Sequence, residues 1–63
     1  MKFKDLKIGD WFTREGWQTV DEKIEPVQSN NVKDGWITHR EVGTGIRAGY
    51  VKDGDEVIPV EKK

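Results

Sequence analysis

The sequence predicts a single small all-β domain, residues 1–63, with about five short antiparallel strands in a small sandwich or barrel. Three observations carry this reading. Of the 21 residues in the AVILMFWYC set, seven are Val and five are Ile, against one Leu (Leu6) and one Ala (Ala48). β-branched side chains fit a pleated, half-buried surface, whereas helices draw on Ala and Leu. Seven glycines fall at intervals where strands must turn. The length of 63 residues allows one domain. A chain this short buries only about 60% of the surface its unfolded form exposes. Closing the sheet hides edges that so small a protein would otherwise leave open.

The N-terminal element comes first. Leu6 and Ile8 alternate with charged neighbours, and Phe3 and Leu6 also allow one helical turn. Gly9-Asp10 is a turn, and residues 11–14 read as the first strand. Arg14-Glu15-Gly16 fits a three-residue hairpin loop with Gly16 in the left-handed position. Residues 17–24 return as the second strand, and Pro26 demotes the residues after it to an edge or an end. Ser29-Asn30-Asn31 is a polar loop and Lys33-Asp34-Gly35 a turn. Residues 36–42 form a third strand, Gly43-Thr44-Gly45 a turn, and residues 46–51 a fourth strand. After the turn at Lys52-Asp53-Gly54-Asp55, residues 56–60 close the chain, with Pro59 marking an edge. Val-Lys-Asp-Gly occurs at both 32–35 and 51–54, and an Ile/Pro/Val element recurs near Pro26 and Pro59. The two pairs have different spacings, so they reflect shared turn and strand-end chemistry rather than a tandem repeat. The expected core is Leu6, Ile8, Phe12, Val20, Ile24, Ile37, Val42, Ile46, Val51 and Val57.

Composition excludes several activities. There is no cysteine, hence no disulfide, thiolate metal site or thiol nucleophile. One histidine cannot make a His-rich metal site. No apolar run approaches the roughly 18 residues of a membrane span. Met1-Lys2-Phe3-Lys4-Asp5 lacks the apolar stretch of a signal peptide, so a soluble, cytoplasmic protein is expected. Charged residues are 37% of the chain, yet three Trp, two Phe and one Tyr argue against disorder. Eleven basic and twelve acidic residues leave a net charge of −1, without the basic surplus that phosphate binding usually requires.

The first hairpin has two mixed faces. With Arg14–Gly16 as loop, Trp11, Thr13, Trp17 and Thr19 share one face, and Phe12, Val20 and Ile24 share the other with Arg14, Gln18 and Glu22. Phe12, Val20 and Ile24 join Leu6 and Ile8 without threonines and are assigned to the core. Trp11 and Trp17 are then expected outside it or near a barrel end. Either the tryptophans cap a small core, or Trp11, Trp17, Trp36 and Tyr50 form an aromatic platform for a partner. Such rings also suit stacking on bases or caging a cation.

Few residues point to catalysis. His39, in Thr38-His39-Arg40-Glu41, has no marked nucleophile or orienting group and reads as a surface strand histidine. Asp53-Gly54-Asp55-Glu56 supplies only part of a calcium shell and reads as a solvated turn. Alternation sends Asp21 and Glu22 to opposite faces, which separates them as an acid–base pair. Gly43-Thr44-Gly45 lacks the lysine and helix of a phosphate loop. No cofactor and no metal are expected. Lys2, Lys4, Lys7, Lys62 and Lys63 would form one basic patch if the termini lie together, which is the one route to nucleic-acid contact.

The opening Phe3-Lys4-Asp5-Leu6-Lys7-Ile8-Gly9-Asp10-Trp11-Phe12 and the ending Asp55-Glu56-Val57-Ile58-Pro59-Val60 resemble the two ends of a loose set of small hypothetical proteins from bacteriophages and prophages. Residues 30–45 match no pattern of that set. The resemblance implies an SH3-like β-barrel of uncharacterised function encoded by a phage or mobile element, and transfers no catalytic residue. The sequence therefore leads to a non-enzymatic binding or accessory module acting on another protein. A nucleic-acid-binding small barrel, an enzyme needing His39 beside a carboxylate, and a self-associating structural component are the alternatives.

Overall fold

A computed structural model describes residues 1–47 and 49–62. It is all-β: a short 3-10 turn, Phe3–Asp5, precedes the strands β1 (Trp11–Thr13), β2 (Asp21–Gln28), β3 (Trp36–Glu41) and β4 (Ile58–Val60). The strands make one antiparallel sheet in the order β3-β2-β1-β4. Among the described residues the sheet is open rather than closed into a barrel, with β3 and β4 at its two ends.

The expected fourth strand, residues 46–51, is not a strand among the described residues, and Ala48 lies outside them. The segment runs along β3 at scattered points. Arg47 bridges Arg40, Glu41 N–H donates to Ile46 O at 2.9 Å, and Thr38 N–H donates to Gly49 O at 3.2 Å. The Thr38 hydroxyl, buried, accepts from Val51 N–H at 2.9 Å. Side-chain and backbone bonds thus hold this strip against β3 where a regular ladder was expected.

The first hairpin adopts another register. Trp11 pairs with Glu22 and Phe12 with Asp21, so β2 begins four residues later than expected. Gly16 does take the left-handed conformation, at φ 87°, and Trp17 N–H donates to Arg14 O at 2.9 Å. The chain then runs on through residues 18–20 before pairing. The Thr13 hydroxyl donates to Thr19 O at 2.8 Å across this wide connection. The new register places Asp21 and Lys23, not Val20 and Ile24, on the face of Phe12.

Pro26 lies within β2, which is a central strand, contrary to the edge or end expected there. The pairing of β2 with β3 is irregular between Lys23 and Val27, and β1 pairs only with Asp21 and Glu22. The proline therefore occupies a bulge and removes no ladder bond. Pro59 does lie in an end strand, β4.

Among the described residues the buried core is smaller than expected: Phe3, Leu6, Phe12, Val51 and Val57, with Trp17 packed against it. Ile8 and Ile46, assigned to the core by alternation, are 50% and 60% exposed because they flank turns rather than sit in strands. Val20, Ile24, Ile37 and Val42 are only half-buried. Phe3 enters the core through the 3-10 turn and meets Phe12 edge-on, with centroids 5.4 Å apart. Lys23 locks that turn to the sheet. Its ammonium donates to Phe3 O at 3.1 Å and Leu6 O at 2.8 Å, and lies 4.6 Å from the Phe3 ring centroid. Backbone bonds from Phe3 to Asp55, Lys4 to Asp53 and Val57 to Met1 bring the chain ends together.

Candidate functional site

The four aromatics of the expected platform separate into three environments. Trp11 lies on the outer face of β1 with Glu22 and Arg40 beside it in the ladder. The Lys62 ammonium stands 6.0 Å from the Trp11 ring centroid and donates to Gly9 O at 3.1 Å. Trp17 is partly buried and packs against the core, with its ring 5.9 Å from Phe12 and 5.4 Å from His39. Trp36 and Tyr50 alone come together, 41% and 37% exposed, in one groove.

That groove has a volume of about 300 Å³ and is lined by Pro26, Trp36, Thr38, Tyr50, Val51 and Asp53. Each arrives for a local reason. The β2 bulge lifts Pro26, β3 carries Trp36 and Thr38 on one face, and the Thr38–Val51 bond fixes the strip that bears Tyr50. Asp53 stands in the next turn, where Asp55 N–H donates to Lys52 O at 3.0 Å and Lys4 N–H donates to Asp53 O at 3.0 Å. Its carboxylate enters no ion pair among the described residues, whereas that of Asp55 lies 3.7 Å from Arg14. The same tetrapeptide at 32–35 turns in a different register, with Gly35 N–H donating to Val32 O at 2.9 Å.

A second constellation went unread in the sequence. His39 is 5% exposed and Asp21 4%, and His39 Nδ1 lies 2.6 Å from Asp21 Oδ2. His39 is therefore a core residue, not the expected surface histidine. Its ring stands edge-on to Phe12 at 5.7 Å. The Thr19 hydroxyl donates to Asp21 Oδ1 at 3.0 Å, so this hydroxyl addresses the carboxylate and not the imidazole. A shallow cavity of about 340 Å³ beside the pair is lined by Trp17, Gln18, Thr19, Asp21, His39 and Glu41. Alternation alone separated Asp21 from Glu22 correctly. The pairing of Asp21 with His39 depends on the β2–β3 register, which no local signal announced.

Two lysines of the expected basic patch meet different partners. Lys2 reaches Gly54 O and the Glu56 carboxylate, while Lys62 reaches Gly9 O and lies 3.8 Å from Glu22. Lys63 lies outside the described residues. Glu56 accepts a hydrogen bond from the Met1 ammonium at 3.2 Å. This bond first, then the charges of that ammonium and of Lys2, hold the Glu56 carboxyl below its ordinary range. Its contribution to stability is accordingly present above the ordinary carboxylate pKa and is lost as pH falls through the lowered one.

Among the described residues no group of three or more His, Cys, Asp or Glu is placed to hold a metal ion. Among the described residues no helix is long and apolar enough to cross a membrane. Comparison with protein-family models, curated proteins and solved structures found no match.

Proposed function

We propose that this chain is a small non-enzymatic binding module of SH3-like barrel type that holds a protein partner on the face bearing Trp36 and Tyr50. One observation carries the reading: two large aromatics stand exposed in a common groove with Pro26, although the core is too small to spare them. Aromatic side chains seated in pockets are the usual anchors of protein interfaces. Phosphate binding is less favoured, because an aspartate, Asp53, lines the groove with the rings, and Lys2 and Lys62 of the expected basic patch pair with Glu56 and Glu22. A catalytic role for His39 is disfavoured by the Thr19 hydroxyl, which points to Asp21 instead.

Affinity capture with the wild-type chain and with Trp36→Ala tests the proposal. A partner retained by wild type, purified and remeasured, is expected to bind at least tenfold more weakly to Trp36→Ala, as an anchor residue worth about 1.4 kcal/mol or more requires. Equal binding of that purified partner to both proteins would exclude this face.

A further inference from the structure

The Trp36–Tyr50 groove has a chemical character that narrows what it accepts. At about 300 Å³ it lies at the lower end of ligand pockets, the size of one side chain rather than a whole cofactor. Its walls are two aromatic rings, a proline, a valine and a threonine whose hydroxyl is already bonded to Val51 N–H. The sole charged lining residue is Asp53, and no lysine or arginine lines the groove among the described residues. Aromatic faces carry negative potential and attract cations, Trp most strongly. The negative charge of a lining aspartate adds to that attraction and repels phosphate. The site therefore combines apolar walls for a methylene stem with a negative rim for a charged head.

We propose that this groove binds a cationic side chain, lysine or arginine, presented by a partner protein, with Trp36 and Tyr50 flanking the stem and head and Asp53 as counter-charge. The inference rests on the protein-binding reading above and names the chemistry of the contact. A neutral apolar side chain would leave Asp53 beside it unused. A nucleobase would bring phosphates towards that carboxylate.

The test is a chemical-shift titration of the 63-residue protein with four probes: N-acetyl-lysine methylamide, N-acetyl-arginine methylamide, neutral N-acetyl-norleucine methylamide and a mononucleotide. At least one cationic probe is expected to shift the Trp36 indole, Tyr50 and Val51 resonances, with norleucine binding much more weakly. Asp53→Asn is expected to weaken the cationic probe roughly fivefold, the order set by one ion pair at about 4 Å in water. Trp36→Ala should weaken it roughly tenfold, and Tyr50→Phe, which keeps the ring, should bind as wild type. Spectral dispersion and urea midpoints matching wild type establish that each variant is folded.

Equal binding of norleucine, indifference to Asp53→Asn, or stronger shifts from a mononucleotide at the same residues would each overturn the inference. These failures differ from failure of the parent reading. Norleucine binding with partner capture still sensitive to Trp36→Ala removes only the cation. Cation binding with capture insensitive to Trp36→Ala removes the protein interface.

Discussion

Asp21 and His39 show what a single buried pair does in so small a protein. The carboxylate accepts from the Thr19 hydroxyl on one oxygen, and its other oxygen lies 2.6 Å from His39 Nδ1. The imidazole in turn fills space between Phe12 and Trp17. It also backs the strip bearing Tyr50, since a side-chain carbon placed on Gly49 would lie 3.6 Å from His39 Nε2. Removing either partner strands a buried polar group, which costs about 1–3 kcal/mol. Asp21→Ala and His39→Ala are each expected to lose that much in urea denaturation. The double variant should lose less than the sum, with a coupling of at least about 0.5 kcal/mol, as contacting groups show. Strict additivity across the four proteins would mean that the two side chains stabilise the fold independently.

At the level of elements, the positions of turns were legible and the pairing between them was not. Gly16, Gly35 and Gly45 each occupy a turn read from composition, and each has positive φ. Turn chemistry is local, so one or two residues suffice to announce it. The register of β1 on β2 depends instead on which face can close over the core. The Arg14–Gly16 turn fixes the bend, but Trp17 leaves the ladder to pack on Phe12 and His39. The intervening residues then become connection rather than strand. A paired substitution separates conformational need from mere presence in a turn. At Gly16 and at Gly54 a side-chain carbon would meet nothing within 4 Å, but only Gly16, at φ 87°, is left-handed. Gly16→Ala is expected to lower stability by about 1–2 kcal/mol from backbone strain alone. Gly54→Ala should be neutral or stabilising by up to about 1 kcal/mol, because it narrows the unfolded ensemble. Thermal midpoints that fall equally in both variants would contradict this account.

Over the whole molecule, stability rests on few side chains. Composition made the all-β class legible, because Val and Ile dominate the apolar set. It could not say which apolar residues would be buried, since alternation assigns faces only where a strand forms. Phe3 was reached through a 3-10 turn, and Ile8 and Ile46 were lost to turn flanks. The candidate groove was half legible. Trp36 and Tyr50 were two of the four candidate platform aromatics, but Pro26 and Asp53 join them only through the β2 bulge and the path of residues 49–53. The accessible surface of 4618 Å² exceeds the roughly 4,200 Å² that size scaling gives a chain of this length, in keeping with a five-residue core. At about 0.05–0.15 kcal/mol per residue, a domain of this size has only about 3–9 kcal/mol to lose. Phe12 is fully buried and touches Phe3, Trp17 and His39, so it joins the N-terminal turn, the wide connection and β3. Truncating a buried phenylalanine costs about 3–5 kcal/mol. Phe12→Ala is therefore expected to unfold most of the population at about 37 °C, seen as collapse of amide dispersion. Ile8→Thr and Ile46→Thr, at positions at least half exposed, should change stability in urea by no more than about 0.5 kcal/mol. A folded Phe12→Ala would place the stabilising contacts elsewhere, and large losses at Ile8 or Ile46 would restore them to the core.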